Sequence, residues 1–274
     1  GPTKSELLGK PAGPWKVIAE YVYTDEDGQP LGKVVREQRD HEHGYAKRFW
    51  QRHWIGQCPA DPCTEKRGRM QILHTSGWGL NAPARKVLYC LPAVIAAIAD
   101  GHEVWLPEGE KDADALNLHF KDTGYEAVAT ANASGARSWG GEYAQALRGA
   151  HVVIVEDNDP PGVNRVTGEV IEPAGRTRTK TLLASLGGVA ASVRVVRATA
   201  GKDSHDHLAA GHTARDFEAV TLPAGDGPED GEPAGDAPKV PAAAWARRLA
   251  DQTGTSIAAS SETALSGDPG DPFE

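Results

Sequence analysis

The chain has 274 residues, 39% of them hydrophobic and 24% charged, with a formal net charge of -9. That length suits one large domain or two small ones with a tail, and no apolar run approaches the ~20 residues that a membrane span needs. Three cysteines, Cys58, Cys63 and Cys90, make no disulfide framework, which excludes the small secreted class and points to the cytoplasm. No signal peptide is visible, and Gly1-Pro2 has the look of a protease scar, so natural residues are expected upstream.

The charge is unevenly placed. Residues 1–100 carry 14 Lys and Arg against 11 Asp and Glu, residues 101–221 carry 12 against 17, and residues 222–274 carry 3 against 10. A mildly basic front, a middle rich in carboxylates and an acidic tail do not exclude a nucleic-acid partner, because phosphates meet local charge.

In chain order, "WKVIAEYVYT" and "LGKVVREQ" flank "DEDGQP", which predicts a hairpin over 16–40. "YAKRFWQRHW", Tyr45 to Trp54, alternates basic and aromatic residues. Residues 56–69 read as a polar loop. "RKVLYCLPAVIAAIADG" predicts a strand at 86–90 and a helix from about Pro92 to Gly101, its apolar positions spaced for one buried face. Strand and helix then alternate. Strands are expected at 103–107, 126–130, 151–155 and 192–197, and helices at 110–121, 140–148, 176–186 and 204–210. Runs such as "HVVIV" and "SVRVV" are short and nearly all apolar, as parallel strands covered on both faces are. "VNRVTGEVIEPA", 163–174, predicts an inserted hairpin. "PAGDGPEDGEPAGDAPKVP" opens a disordered acidic tail at 222–274, within which "AAAWARRLADQTG" reads as a short helix.

The expected fold is therefore α/β: a compact parallel sheet flanked by helices over 101–221, preceded by a smaller α+β subdomain over 1–100. Such sheets bind ligands at the carboxyl ends of their strands. Glu108 follows the first strand of the sheet, Asp157 and Asp159 the third, and Asp203 and Asp206 the fourth. A parallel sheet brings these ends to one edge. Clustered carboxylates repel, more so when buried, and a cation resolves the conflict. Oxygen ligands without a nearby cysteine favour Mg2+ or Mn2+ over zinc, and such ions serve phosphoryl chemistry. Solvated loop acids are the plain alternative for any one of these residues, but acids at three strand ends together argue against it.

Glu108-Gly109 after an apolar strand with Asp112 beyond, Asp157-Asn158-Asp159 followed by Gly162, and "KDSHDHL" resemble, in that order, the acidic motifs of the TOPRIM domain. "YVYTDEDGQPLGKVVR", "RKVLYCLPAVIAAIADG" and "EGEKDADAL" look like actinobacterial and phage primases and primase–helicases. Those often carry a zinc-binding module and a helicase domain, and neither is seen in this sequence, so the chain looks like the catalytic core of a longer protein. The resemblance implies Glu108, Asp157 and Asp159 as catalytic and metal-binding residues, with Asp112, Asp203 and Asp206 completing the acidic pocket. Lys111 departs from the usual bacterial primase residue type but suits a nucleotide phosphate, and Lys202 is placed with it. The activity implied is template-directed synthesis of short RNA primers from NTPs on single-stranded DNA, with a replicative helicase as partner. A metal-dependent TOPRIM nuclease and a non-catalytic single-strand-binding module are the alternatives. A topoisomerase is disfavoured, since neither gate domains nor a nucleophilic-tyrosine context is visible.

For the single strand, Lys47, Arg48 and Arg52 offer cations and Phe49, Trp50 and Trp54 offer rings, the pairing used by single-strand binders. Arg67 and Arg69, with Arg36 and Arg39, are further candidates. An amphipathic strand with core aromatics is the competing view. Cys58 and Cys63 with His53 and His74 have loose spacing for zinc, and loop thiols fit better. "GRTRTKTL", 175–182, reads either as a basic helix start facing phosphates or as a solvated one.

Overall fold

The computed structural model describes residues 7–56, 63–67, 70–74, 77–79, 81–133, 135–164 and 167–221. The expected tail, 222–274, lies outside them. They form two compact units, one of residues up to Tyr23 and Pro30–Arg85, the other of Thr24–Gln29 and the chain from Lys86 onward.

The first unit is built on a four-stranded sheet in the order β1-β2-β3-β6, with β1 Lys16–Thr24, β2 Pro30–His41, β3 Gly44–Trp54 and β6 Trp78–Gly79. The turn between β1 and β2 is the one its sequence asks for. Asp25 Oδ1 accepts the Asp27 and Gln29 amides at 3.0 and 2.8 Å, and Gly28 takes a positive φ of 80°, which glycine adopts without strain. β2 and β3 pair antiparallel from Gly32 opposite His53 to His41 opposite Gly44. Tyr21, Tyr23, Val34 and Val35 are buried. The loop expected at 56–69 is in part a strand: β4 Cys63–Arg67 pairs antiparallel with β5 Met70–His74. "CTEKR" shows no apolar alternation, so periodicity gives no warning of it.

The second unit carries a five-stranded sheet in the order β13-β12-β9-β7-β8, with β7 Glu103–Leu106, β8 Ala127–Ala129, β9 His151–Glu156, β12 Ser192–Arg197 and β13 Glu218–Ala219. The first four run parallel and β13 closes the edge antiparallel. Val104, Trp105, Leu106, Val128, Ile154 and Val155 are buried, which is why these runs are almost wholly apolar. Trp105 meets Phe120, Tyr125 and Phe217 edge-on at 5.3–6.2 Å. Truncating so large a core side chain costs about 3–5 kcal/mol.

Among the described residues, five α-helices accompany the strands of this unit: α1 Leu91–Ala99, α2 Glu110–Thr123, α3 Gly141–Ala146, α4 Ala174–Leu186 and α5 Ser204–Ala209. α2 opens with Glu110 and Asp112 in its first turn and closes on Gly124 at φ 69°, as the helix dipole and the left-handed cap favour. Asn117 ties it to β8 by bonding both the amide and the carbonyl of Ala129, at 2.7 and 2.9 Å. The strand expected at 86–90 does not form. Leu88 makes a single bridge to Asn132, and Cys90 turns into the left-handed region at φ 56° to start α1. The inserted hairpin is present but short: β10 Gly162–Val163 pairs with β11 Val170–Ile171.

Candidate active site

The register sets the geometry. Leu106 of β7 lies level with Ile154 of β9, and Glu156 of β9 level with Arg197 of β12, so the chain leaves three neighbouring strands at one edge. Glu108 follows β7 by two residues and Asp157 follows β9 directly. One carboxylate oxygen from each of Glu108, Asp157 and Asp159 lies within 4.8 Å of the others, and all three residues are half-buried. At the same place α4 approaches the Asp157 backbone. Gly175 permits it, because a Cβ there would sit 2.8 Å from the Asp157 carbonyl oxygen.

The loops are bound to one another at this edge. Asn158 donates its side-chain amide to the carbonyls of Ala198 and Gly201 at 2.8 and 3.0 Å, and its backbone amide to the Lys202 carbonyl at 2.8 Å. Asn158 therefore turns back toward the β12 exit while the acids on either side, Asp157 and Asp159, reach the cluster. Lys202 returns an ion pair to Asp159 at 3.0 Å.

The other predicted acids are placed differently. Asp203 caps α5 by accepting the Asp206 amide at 2.9 Å, and Asp206 accepts the Lys202 amide at 3.1 Å. With His205 they form a second group whose ligand atoms lie within 4.8 Å of one another. Asp112 is buried and accepts the His205 amide at 3.1 Å. It links the two groups electrostatically, being a repulsive neighbour of both Asp203 and Asp157. Burial, then the Asp203 charge, raises its pKa to about 6. Asp157 is held well above the usual carboxylate range by burial, then by the charges of Glu108 and Asp112 and a hydrogen bond shared with Glu108, against the pull of Lys202. Lys111, half-buried, acts on Asp112 through its charge.

One residue of this site escaped the sequence reading. Arg178 on α4 is 4% exposed, and its guanidinium donates to the Pro107 carbonyl at 2.6 Å and the Leu106 carbonyl at 3.4 Å. Its Nε is buried without a hydrogen-bond partner among the described residues. Burial lowers its pKa to about 10 while Glu108, Asp157 and Asp112 hold it up, so it is a cation at neutral pH. "GRTRTKTL" is thus neither a solvated helix start nor a set of free cations: Arg176 pairs with buried Glu156 at 3.4 Å, and Arg178 points inward.

On β3 the candidate single-strand residues divide between two faces. Glu37 opposes Arg48, and Val35 opposes Trp50. The Arg48 guanidinium lies 4.3 Å from the Trp15 ring and 5.0 Å from the Trp50 ring, and Glu37 Oε2 accepts from both Arg48 Nε and Trp50 Nε1 at 2.5 and 2.6 Å. Arg52 shares that face and lowers the Glu37 pKa through its charge. Lys47 lies on the other face, over the Tyr45 ring at 5.2 Å, with Phe49, which is 55% exposed. Trp54 packs edge-on against Trp78 at 4.8 Å. Arg39 donates to the Gly13 carbonyl, and Arg36 has a buried Nε. Arg69 and Cys58 lie outside the described residues, as do the side chains of Arg67, Cys63 and His74.

Fold and site together define an α/β unit with a carboxylate centre at the exit of parallel strands. The donor set of three carboxylates within reach of one ion suits a hard divalent cation, Mg2+ or Mn2+. Among solved structures, the chain is similar to the E. coli primase catalytic core, with 16% sequence identity and a TM-score of 0.40, over 73% of this chain and 52% of that one. The chain thus spans about half the length of that structure. No family model and no curated protein matches the sequence.

Proposed function

We propose that this chain is the catalytic core of a DNA primase, joining NTPs into short RNA primers on a single-stranded DNA template. The observation that carries the reading is the convergence of Glu108, Asp157 and Asp159 to within 4.8 Å at the exit of adjacent parallel strands, residues whose order along the chain resembles that of the TOPRIM motifs. Glu108, Asp157 and Asp159 would hold Mg2+ or Mn2+, which when bound supplies Lewis-acid stabilisation of phosphoryl oxygens. Lys202, already paired with Asp159, offers its ammonium to a nucleotide phosphate, with Lys111 as a second cation. The raised pKa of Asp157 marks a group that gains from an added cation, as perturbed groups at functional sites do. The exposed rings and cations of β3 fit a single strand. A replicative helicase, on the same longer chain or a separate one, is the partner this activity implies.

The test is incubation with single-stranded DNA, labelled NTPs and Mn2+. Labelled oligomers are expected, and Asp157→Asn combined with Asp159→Asn abolishes both the oligomers and Mn2+ binding by calorimetry while the fold survives. Shortened DNA in place of oligomers makes the site a nuclease, and unchanged DNA with no oligomers makes the chain a binding module. Undiminished Mn2+ affinity in the double variant overturns the metal assignment.

A further inference from the structure

Arg178 poses a physical problem. Removing a guanidinium from water is expensive, and an unpaired buried charge is rarely tolerated. This one is 4% exposed, spends its hydrogen bonds on two backbone carbonyls, leaves Nε without a partner among the described residues and makes no ion pair within 4 Å among them. Main-chain carbonyls alone do not explain a full positive charge there, since a neutral donor would serve them. What surrounds it does: Glu108, Asp157 and Asp112 all act favourably on its charge, and its strongest bond is to the carbonyl of Pro107, the residue before Glu108. It reaches the site because Gly175 lets the start of α4 press against Asp157.

We propose that Arg178 is a built-in counter-cation of the acidic cluster, which holds the Glu108 backbone in place through the Pro107 carbonyl and offsets the mutual repulsion of Glu108, Asp157 and Asp112 from the protein interior. It is a positioning residue and touches no substrate. A divalent ion held by Glu108, Asp157 and Asp159 would then share with Arg178 the neutralisation of one set of carboxylates. Asp112 acts on Arg178 and on Asp157 and lies outside the cluster of Glu108, Asp157 and Asp159, so its removal relieves the loss of the arginine without touching those three carboxylates. The inference rests on the metal-site reading for its cation arm only.

The test uses the full chain. Arg178→Met keeps the side-chain length and removes the charge. It is expected to lower the melting temperature without metal by about 10 °C, the scale of an uncompensated buried charge in a domain of this size. Saturating Mn2+ should raise the variant's melting temperature by several degrees more than it raises the parent's, because the ion replaces the missing charge. Adding Asp112→Asn should recover more stability in the Met background than it adds to the parent, the non-additivity of a coupled pair. Arg178→Lys, which keeps the charge, should stay closer to the parent than Arg178→Met. An equal loss with and without Mn2+, together with additive effects of Asp112→Asn, makes Arg178 a packing residue and overturns the proposal. If Arg178→Met alone does not fold, a folded Arg178→Met/Asp112→Asn chain supports the proposal and an unfolded one overturns it. Absence of Mn2+ binding in the parent removes the metal reading, while the Asp112→Asn arm still tests Arg178.

Discussion

Asp112 shows how a single carboxyl links the site to the stability of the fold. Its pKa rises from 3.8 to about 6, through burial first and the Asp203 charge second. For an acid whose folded pKa is raised, the folded state keeps its proton after the unfolded state has lost it. Its contribution to stability is therefore whole below about pH 4 and is lost as pH rises through about 6. Such a displacement corresponds to about 3 kcal/mol by pH 8. Asp157 is raised for related reasons and acts in the same direction. Asp112→Asn keeps an acceptor for the His205 amide and removes the charge. Without metal it is expected to raise the melting temperature at pH 8 by roughly 5–10 °C and to leave it nearly unchanged at pH 4. A difference that does not vary with pH would mean that Asp112 binds its proton alike in the folded and unfolded chain, with no raised pKa. This residue was legible in the sequence as one acid among several. Its burial was not, because that depends on α5 packing over the first turn of α2.

At the scale of elements, β3 separates two roles that its sequence mixes. Alternation of basic and aromatic residues fits a two-faced strand, but its aromatics are not core, since Phe49 and Trp50 are exposed, and which face is engaged depends on the register with β2. Pairing Glu37 with Arg48 puts a carboxylate beside both Arg48 and Trp50, and nothing in "YAKRFWQRHW" itself reveals that partner. Trp50→Ala removes a hydrogen bond to a charged acceptor and the ring beneath Arg48, so it is expected to destabilise by about 1.5–3 kcal/mol. Phe49 is 55% exposed on the opposite face, and Phe49→Ala should leave the melting temperature within about a degree, as a surface substitution does. If this strand holds the template by stacking, Phe49→Ala weakens single-strand binding by about 1–3 kcal/mol per base lost, read by fluorescence anisotropy. Unchanged affinity in Phe49→Ala with a large loss in Trp50→Ala would move the binding face to the Arg48 side. The parallel strands were the easiest elements to find, since burial on both faces writes a continuous apolar run. β13, two exposed residues on the edge, and β4, a polar ribbon, leave no such trace.

Over the whole molecule, the proposed division of labour follows the chain. Glu108, Asp112, Asp157, Asp159, Arg178, Lys202, Asp203 and Asp206 all belong to the second unit, in its part from Lys86 onward, and the β3 rings and cations belong to the first. Their order along the sequence made the acidic edge readable, because parallel topology converts successive strand ends into one location. The buried arginine was not readable, since an Arg two positions from another at a helix start looks the same whether it faces solvent or the core. The second unit's part from Lys86 has a core of its own, with Trp105, Phe120, Leu116, Ile154, Leu183 and Leu186 all at most 2% exposed. A fragment of residues 86–221 is therefore expected to melt in one cooperative transition. It should bind Mn2+ within about threefold of the full chain's affinity, because every proposed ligand and the counter-cation are retained. It should bind single-stranded DNA far more weakly, and with a shallower salt dependence, since each lost phosphate contact removes roughly 0.7 from the slope. Calorimetry for the ion and anisotropy across a salt series for the DNA measure the two separately. A fragment that keeps full single-strand affinity would place the template on the acidic unit itself, and one that folds but binds no Mn2+ would mean that the metal centre needs residues before Lys86.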